Sequence, residues 1–146
     1  MIAFTGLRTA LPVLFGSHVV WRGFLRSKEC PRQSRKFVVS LLGIWGAESE
    51  ACEWGALVVT ELATNACVHT HSPVIQVVAA RFRGVGYLAV VDDGPAPRKN
   101  PWAGVSAADD AVSGRGLQLV SAFSASSGRF RFGSGSLFWA SHPLRD

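Results

Sequence analysis

Between Ser49 and Thr70 apolar residues recur at about 100° per residue, so that Ala51, Trp54, Leu57, Val58 and Leu62 share one broad stripe, as expected of a helix lying on a core. Ser49 is a plausible N-cap with Glu50 and Glu53 in the first turn, and "THSP" supplies turn residues and a proline stop. Two polar residues break the stripe. Glu61 and Asn65, one turn apart, project near its centre between Leu57 and Val58, and His69 borders it four residues on. A carboxylate and an amide aimed at a core need hydrogen-bond partners or a cavity, because an unpaired buried charge is costly. The helix alone admits a pocket, a satisfied polar pair, or a small rotation that frees Glu61 to solvent.

The pattern elsewhere predicts the remaining elements. A strand is expected in "SHVVWRGFLRS", and "PRQSRKFVVSLLGIWG" reads as a helix opened by Pro31 and closed by Gly46, with Phe37, Val38, Leu41, Leu42 and Trp45 at helical spacing. After the Glu61 helix the period changes. "VIQVVAARF" and "GYLAVVDD" are β-branched runs joined by "RGVG", an antiparallel hairpin. From Gly94 to Ser113 no period is sustained, and a stretch of about 20 such residues inside a domain is usually functional. "GRGLQLVSAFSA" then reads as a helix opened by two glycines, and "GRFRF" and "SLFWAS" as strands separated by "GSGS". This order predicts an α+β fold: a two-layer sandwich, helices packed on one face of a mainly antiparallel sheet.

Length and composition fit one globular domain. The chain has 146 residues, 48% hydrophobic and 17% charged, enough to bury about two-thirds of its unfolded surface without disulfides. Cys30, Cys52 and Cys67 are odd in number and lack metal-ligand spacing, so they read as free thiols of a reducing compartment. Arg8 interrupts the apolar N-terminal run, and neither a signal peptide nor a membrane span is expected, which places the protein in the cytoplasm. Residues 1–36 hold seven basic side chains against one acidic, while the rest is nearly neutral. Because "RSKECPRQSRK" has no interleaved aromatics, it reads as a solvated face or an acidic-partner surface rather than a nucleic-acid module.

Three stretches carry candidate chemistry. In "VVDDGPAP", Asp92 ends a strand beside Gly94, where a carboxylate can accept from an amino-bearing ring and glycine lets the ring approach; alone, it is a turn signature. In "SGRGLQLV", glycines flank a helix start whose N–H groups suit phosphate, although the stretch matches neither the dinucleotide fingerprint nor the P-loop. The third is "ELATNACVH" itself.

In this order the three boxes resemble the nucleotide-binding domain of the GHKL superfamily, or Bergerat fold, which gyrase, heat-shock chaperone ATPases, sensor histidine kinases and mismatch-repair ATPases share. The chain looks most like the bacterial anti-sigma-factor serine/threonine kinases, from about Leu25 to Ala140. That implies one ATP-binding domain over residues 25–146, after an N-terminal extension or first strand in residues 1–24. It further implies ATP and Mg²⁺ as cofactors, with Asn65 holding the metal that bridges the phosphates and Glu61 positioning or deprotonating the attacking hydroxyl. Asp92 would accept the adenine amino group and Gly94 would admit the ring. Gly114, Arg115, Gly116 and Leu117 would hold phosphate oxygens, with residues 95–113 as a lid to which Arg98 or Lys99 adds charge. Two positions depart from the family pattern: Ala96 replaces a second glycine, and Ser136 beside Leu137 stands where a threonine is usual, which would weaken nucleotide affinity.

The function so implied is an ATP-dependent protein serine/threonine kinase that binds a sigma factor and phosphorylates a small antagonist protein. It implies no nucleic-acid or membrane partner and leaves a homodimer open. The alternative is a nucleotide-dependent partner-binding module without phosphotransfer. His69 reads either as a phosphate or partner contact or as a helix-end residue, His71 as a turn residue, and the five tryptophans, Trp102 in the lid included, as packing residues.

Overall fold

The computed structural model describes residues 18–93, 116–132 and 135–145. The elements are β1 (Val19–Leu25), α1 (Cys30–Ile44), α2 (Ser49–His69), β2 (Val74–Phe82), β3 (Val85–Asp92), α3 over residues 116–123, β4 (Ser126–Phe132) and β5 (Gly135–Pro143). The strands form one sheet in the order β1-β2-β3-β5-β4, every neighbouring pair antiparallel. The expected two-layer α+β sandwich is what forms.

The pleat sorts side chains between the layers. Alternate strand residues, Ile75, Val77 and Ala79 of β2, Leu88 and Val90 of β3, and Phe138 and Ala140 of β5, join Val38 and Leu42 of α1 and Val58, Val59 and Leu62 of α2 in the main core. The residues between them face the other way, where Val78, Ala89, Val91 and Leu137 make a smaller cluster with Trp21 and Trp139. The helices therefore cover one face; α2 packs most extensively on α1 and, among the strands, chiefly on β3.

Two local expectations need correction. Ser49 is the first helical residue of α2 and not its N-cap; Glu48 holds the extended cap position, and its side chain makes no capping bond. The position is instead fixed by the backbone, since the Glu48 N–H donates to the Leu144 carbonyl at 2.9 Å. The buried face of α2 is wider than the expected stripe: Ala51, Trp54, Val58 and Leu62 lie on it as expected, joined by Gly55, Val59, Ala63 and Ala66, while Leu57 is half-buried on the flank. Packing against both α1 and the sheet widens the apolar face beyond a single stripe.

The hairpin turn is shorter than "RGVG" suggests. Phe82 pairs with Val85, so the turn is Arg83–Gly84 alone. Both residues have positive φ, 50° and 78°, the backbone of a two-residue hairpin loop whose twist matches its strands.

Candidate functional site

At the end of the sheet where β3 finishes and β5 begins, Asp92 and Ser136 stand opposite one another in the ladder, and Arg131 of β4 pairs with Ser136 on its far side. Asp92 follows Leu88 and Val90 in the alternation, and Ser136 precedes Phe138 and Ala140, so both face the helix layer. Both are almost fully buried, at 3% and 1% exposure. A carboxylate so placed must meet hydrogen-bond donors.

The approach from α2 is fixed by a chain of short polar contacts. The Thr70 N–H donates to the Ala66 carbonyl at 3.0 Å and closes the helix. The Ser72 N–H donates to Thr70 Oγ1 at 3.1 Å, and the Asp93 N–H donates to Ser72 Oγ at 2.8 Å. The segment that sequence reading treats as a mere turn thus ties the C-terminal end of α2 to the end of β3. No local signal marks Ser72 for this task, because its partner lies 21 residues away.

On α2 the two polar residues separate in role. Asn65 is buried, and among the described residues its Nδ2 has no hydrogen-bond partner; the Ser136 hydroxyl is in the same condition. Orphaned buried donors are rare in folded proteins and each costs about 1–3 kcal/mol, so two at one end of the molecule call for a ligand. Glu61, one turn earlier, is half-exposed. It therefore reaches the rim of the site, which combines two of the alternatives raised by the sequence: an inward Asn65 and a Glu61 with access to solvent.

Helix α3 closes on that carboxylate. A Cβ placed on Gly116 would lie 2.5 Å from Glu61 Oε2, so only glycine lets the described start of α3 approach this closely. The two helices are pinned at their other ends, where Trp54 Nε1 donates to Ser124 Oγ at 2.9 Å. Leu117 turns its side chain into the core beside Leu62 and Val120, so any phosphate contact it makes is through its backbone. Gly94, Gly114, Arg115, Ala96 and the segment 95–113, with Arg98, Lys99 and Trp102, lie outside the described residues.

The donor set fits Mg²⁺ with nucleotide phosphates. Among the described residues no group of three His, Cys, Asp or Glu side chains could cage a metal. Mg²⁺ usually takes only one or two protein oxygens and completes its shell with water and phosphate. A buried carboxamide could offer its oxygen to such an ion and its N–H to a phosphate oxygen.

Comparison with known proteins agrees with this geometry. The family model of the histidine kinase-like ATPase domain matches residues 27–131. Among solved structures, the chain is similar to the crystal structure of the RsbU and RsbW domains of Rv1364c from Mycobacterium tuberculosis, with a TM-score of 0.67 and 18% sequence identity. That match covers 86% of this chain and 32% of the other. No curated protein matches by sequence.

Proposed function

The chain belongs to the histidine kinase-like ATPase family, and from that premise we propose that it is an ATP-binding regulatory protein serine/threonine kinase of the anti-sigma-factor type. The observation that carries the reading is the pair of orphaned polar atoms, Asn65 Nδ2 and Ser136 Oγ, at the same end of the fold as Asp92 and beside a carboxylate seated under Gly116. Similarity to a structure containing an RsbW domain alongside an RsbU domain supports a regulatory setting.

The roles implied by the resemblance are compatible with these positions. Asp92, buried beside Ser136, accepts the adenine amino group, and the Ser136 hydroxyl donates to the ring or to a water beside it. Asn65 would hold Mg²⁺ through its side-chain oxygen, and the ion would supply charge neutralisation at the phosphates. Glu61, at the rim, takes the proton of a partner's serine hydroxyl as its oxygen bonds to the γ-phosphorus and the bond to the ADP oxygen breaks. Such a transfer depends mainly on positioning and charge neutralisation, so one carboxylate near the nucleophile suffices.

A sigma factor and a small antagonist protein are the partners proposed on the family resemblance, within a cytoplasmic setting. Among the described residues no helix is long and apolar enough to cross a membrane. Incubating the purified chain with labelled ATP, Mg²⁺ and candidate antagonists tests the reading. Transfer of label to a serine or threonine supports it. If a partner docks in a nucleotide-dependent way and no label moves, the chain is a binding module instead.

A further inference from the structure

At the end of the sheet remote from Asp92, a cavity of about 670 Å³ is lined by His18, Trp45, Phe82 and three arginines, Arg81, Arg83 and Arg145. The guanidiniums arrive from β2, from the β2–β3 turn and from the segment after β5. The lining set contains no acidic residue, and none of the three arginines makes an ion pair among the described residues.

Three like charges at one cavity repel, and long exposed side chains ordinarily relieve this by swinging into water. Two of these are held instead. The Arg81 guanidinium lies 5.4 Å over the Trp45 ring, and its Nε donates to His18 Nδ1 at 3.4 Å. Arg145 Nε donates to the Gly46 carbonyl at 3.1 Å. Its Nη2 sits 2.6 Å from where a Cβ on residue 46 would be, so the seat exists because Gly46, at φ 73°, has no side chain. Both anchors use Nε. The Nη edges remain as forks, the geometry that grips two oxygens of one anion.

Arg83 adds a separate observation. It occupies the first position of the turn with φ 50°, where asparagine or glycine is usual and a long side chain is strained. Its guanidinium lies 5.1 Å over Phe82 at the cavity wall. A strained residue whose side chain completes a charged cluster is a functional candidate.

We propose that this cavity is a second anion site, distinct from the nucleotide pocket, that takes a phosphomonoester dianion. Three guanidiniums neutralise poorly against one carboxylate and well against a tetrahedral dianion with three acceptor oxygens. The ester is either a free small molecule or a phosphorylated serine of a partner protein, and the test separates the two.

The full chain, labelled with ¹⁵N, is titrated with phosphoserine, with a phosphoserine peptide and with inorganic sulfate, following the arginine Nε–Hε resonances. Both phosphate ligands should shift Arg81, Arg83 and Arg145. Arg83→Asn, which suits the turn, and Arg145→Gln should each weaken binding about tenfold, while Asp92→Asn leaves it unchanged. Tighter binding of the peptide assigns the site to a phosphorylated partner, and equal binding assigns it to a free ester. No shift of these three resonances at millimolar ligand overturns the proposal. So does sulfate binding as tightly as phosphoserine with Arg83→Asn having no effect.

Discussion

The two ends of the sheet hold polar groups in opposite ways. At the Asp92 end, side chains are buried and, among the described residues, two of their atoms lack partners, Asn65 Nδ2 and Ser136 Oγ. At the Arg81 end, the side chains are open to solvent or half-buried, yet Arg81 and Arg145 are anchored through Nε. The first end leaves polar atoms unsatisfied by protein groups, a cost that a ligand's partners would offset; the second costs the fold little, and its anchoring would limit the ordering needed on binding. Substitutions should therefore raise stability at one end and leave it nearly unchanged at the other.

The largest expected effect tests whether the Asp92 end does chemistry at all. Glu61→Gln keeps size and nucleotide binding but should lower phosphotransfer by about 10²- to 10⁴-fold, the usual range for a general base. Asn65→Ala should lose both Mg²⁺-dependent binding and transfer, because it removes the metal's protein ligand. Single-turnover transfer alongside calorimetry separates the two patterns; equal losses in both variants would merge their roles.

Gly116→Ala comes next. The added methyl would meet the Glu61 carboxylate, and a displacement near 1 Å at a reacting group lowers turnover by about 10²-fold. Turnover should fall while the nucleotide Kd holds, and a change confined to Kd would place Gly116 in binding only.

Asp92→Asn should weaken ATP about ten- to a hundredfold, since it replaces a charged two-oxygen acceptor with one weaker amide oxygen and buries an NH₂ that needs its own partner. Equal affinity for ATP and GTP in the unsubstituted protein would remove adenine recognition from Asp92.

Ser136→Ala sharpens the comparison directly. Removing an unsatisfied hydroxyl should stabilise the nucleotide-free protein by about 1 kcal/mol while weakening ATP a few-fold. Arg145→Gln at the other end should shift the urea midpoint little, as exposed charges contribute little to stability. A loss of stability in Ser136→Ala would show that the hydroxyl is satisfied in solution.

The smallest effect is expected at the cysteines. Cys30, at the start of α1, has its thiol drawn down to about 7 by a hydrogen bond from Cys67, with burial opposing and Ser34 assisting. Cys67, two residues past Asn65, is pushed upward in turn. Between about pH 7 and 9 the unfolded chain binds more protons than the folded one at Cys30, so stability should rise with pH across that window. Above it the raised Cys67 reverses the trend. Urea midpoints at pH 7 and 9 should show the rise in the parent and not in Cys30→Ser.

The sequence reveals much of the first end and little of the second. Glu61 and Asn65 are legible because a helix has a fixed period, and a polar residue on the apolar stripe is conspicuous within one turn. Asp92 is legible because the strand pattern stops at it. Ser72 escapes notice because its partner is set by how α2 leaves the sheet, and the Glu48 cap because a backbone carbonyl of residue 144 decides it. The arginine cluster is invisible for the same reason in stronger form. His18, Trp45, the Arg81–Arg83 segment and Arg145 belong to four stretches that only the finished fold brings to one cavity.

The strand order has a consequence for synthesis. β5 lies between β3 and β4 although it is the last of the five strands to leave the ribosome. Until Gly135–Pro143 emerges, β3 and β4 have no common neighbour and the carboxylate of Asp92 has no Ser136 across from it. The nascent protein therefore cannot assemble the buried polar row of Asp92 and Ser136 piecemeal as translation proceeds. Nucleotide binding by that row would therefore wait for a single late step, when the β4–β5 hairpin docks through β5 onto the open edge of β3.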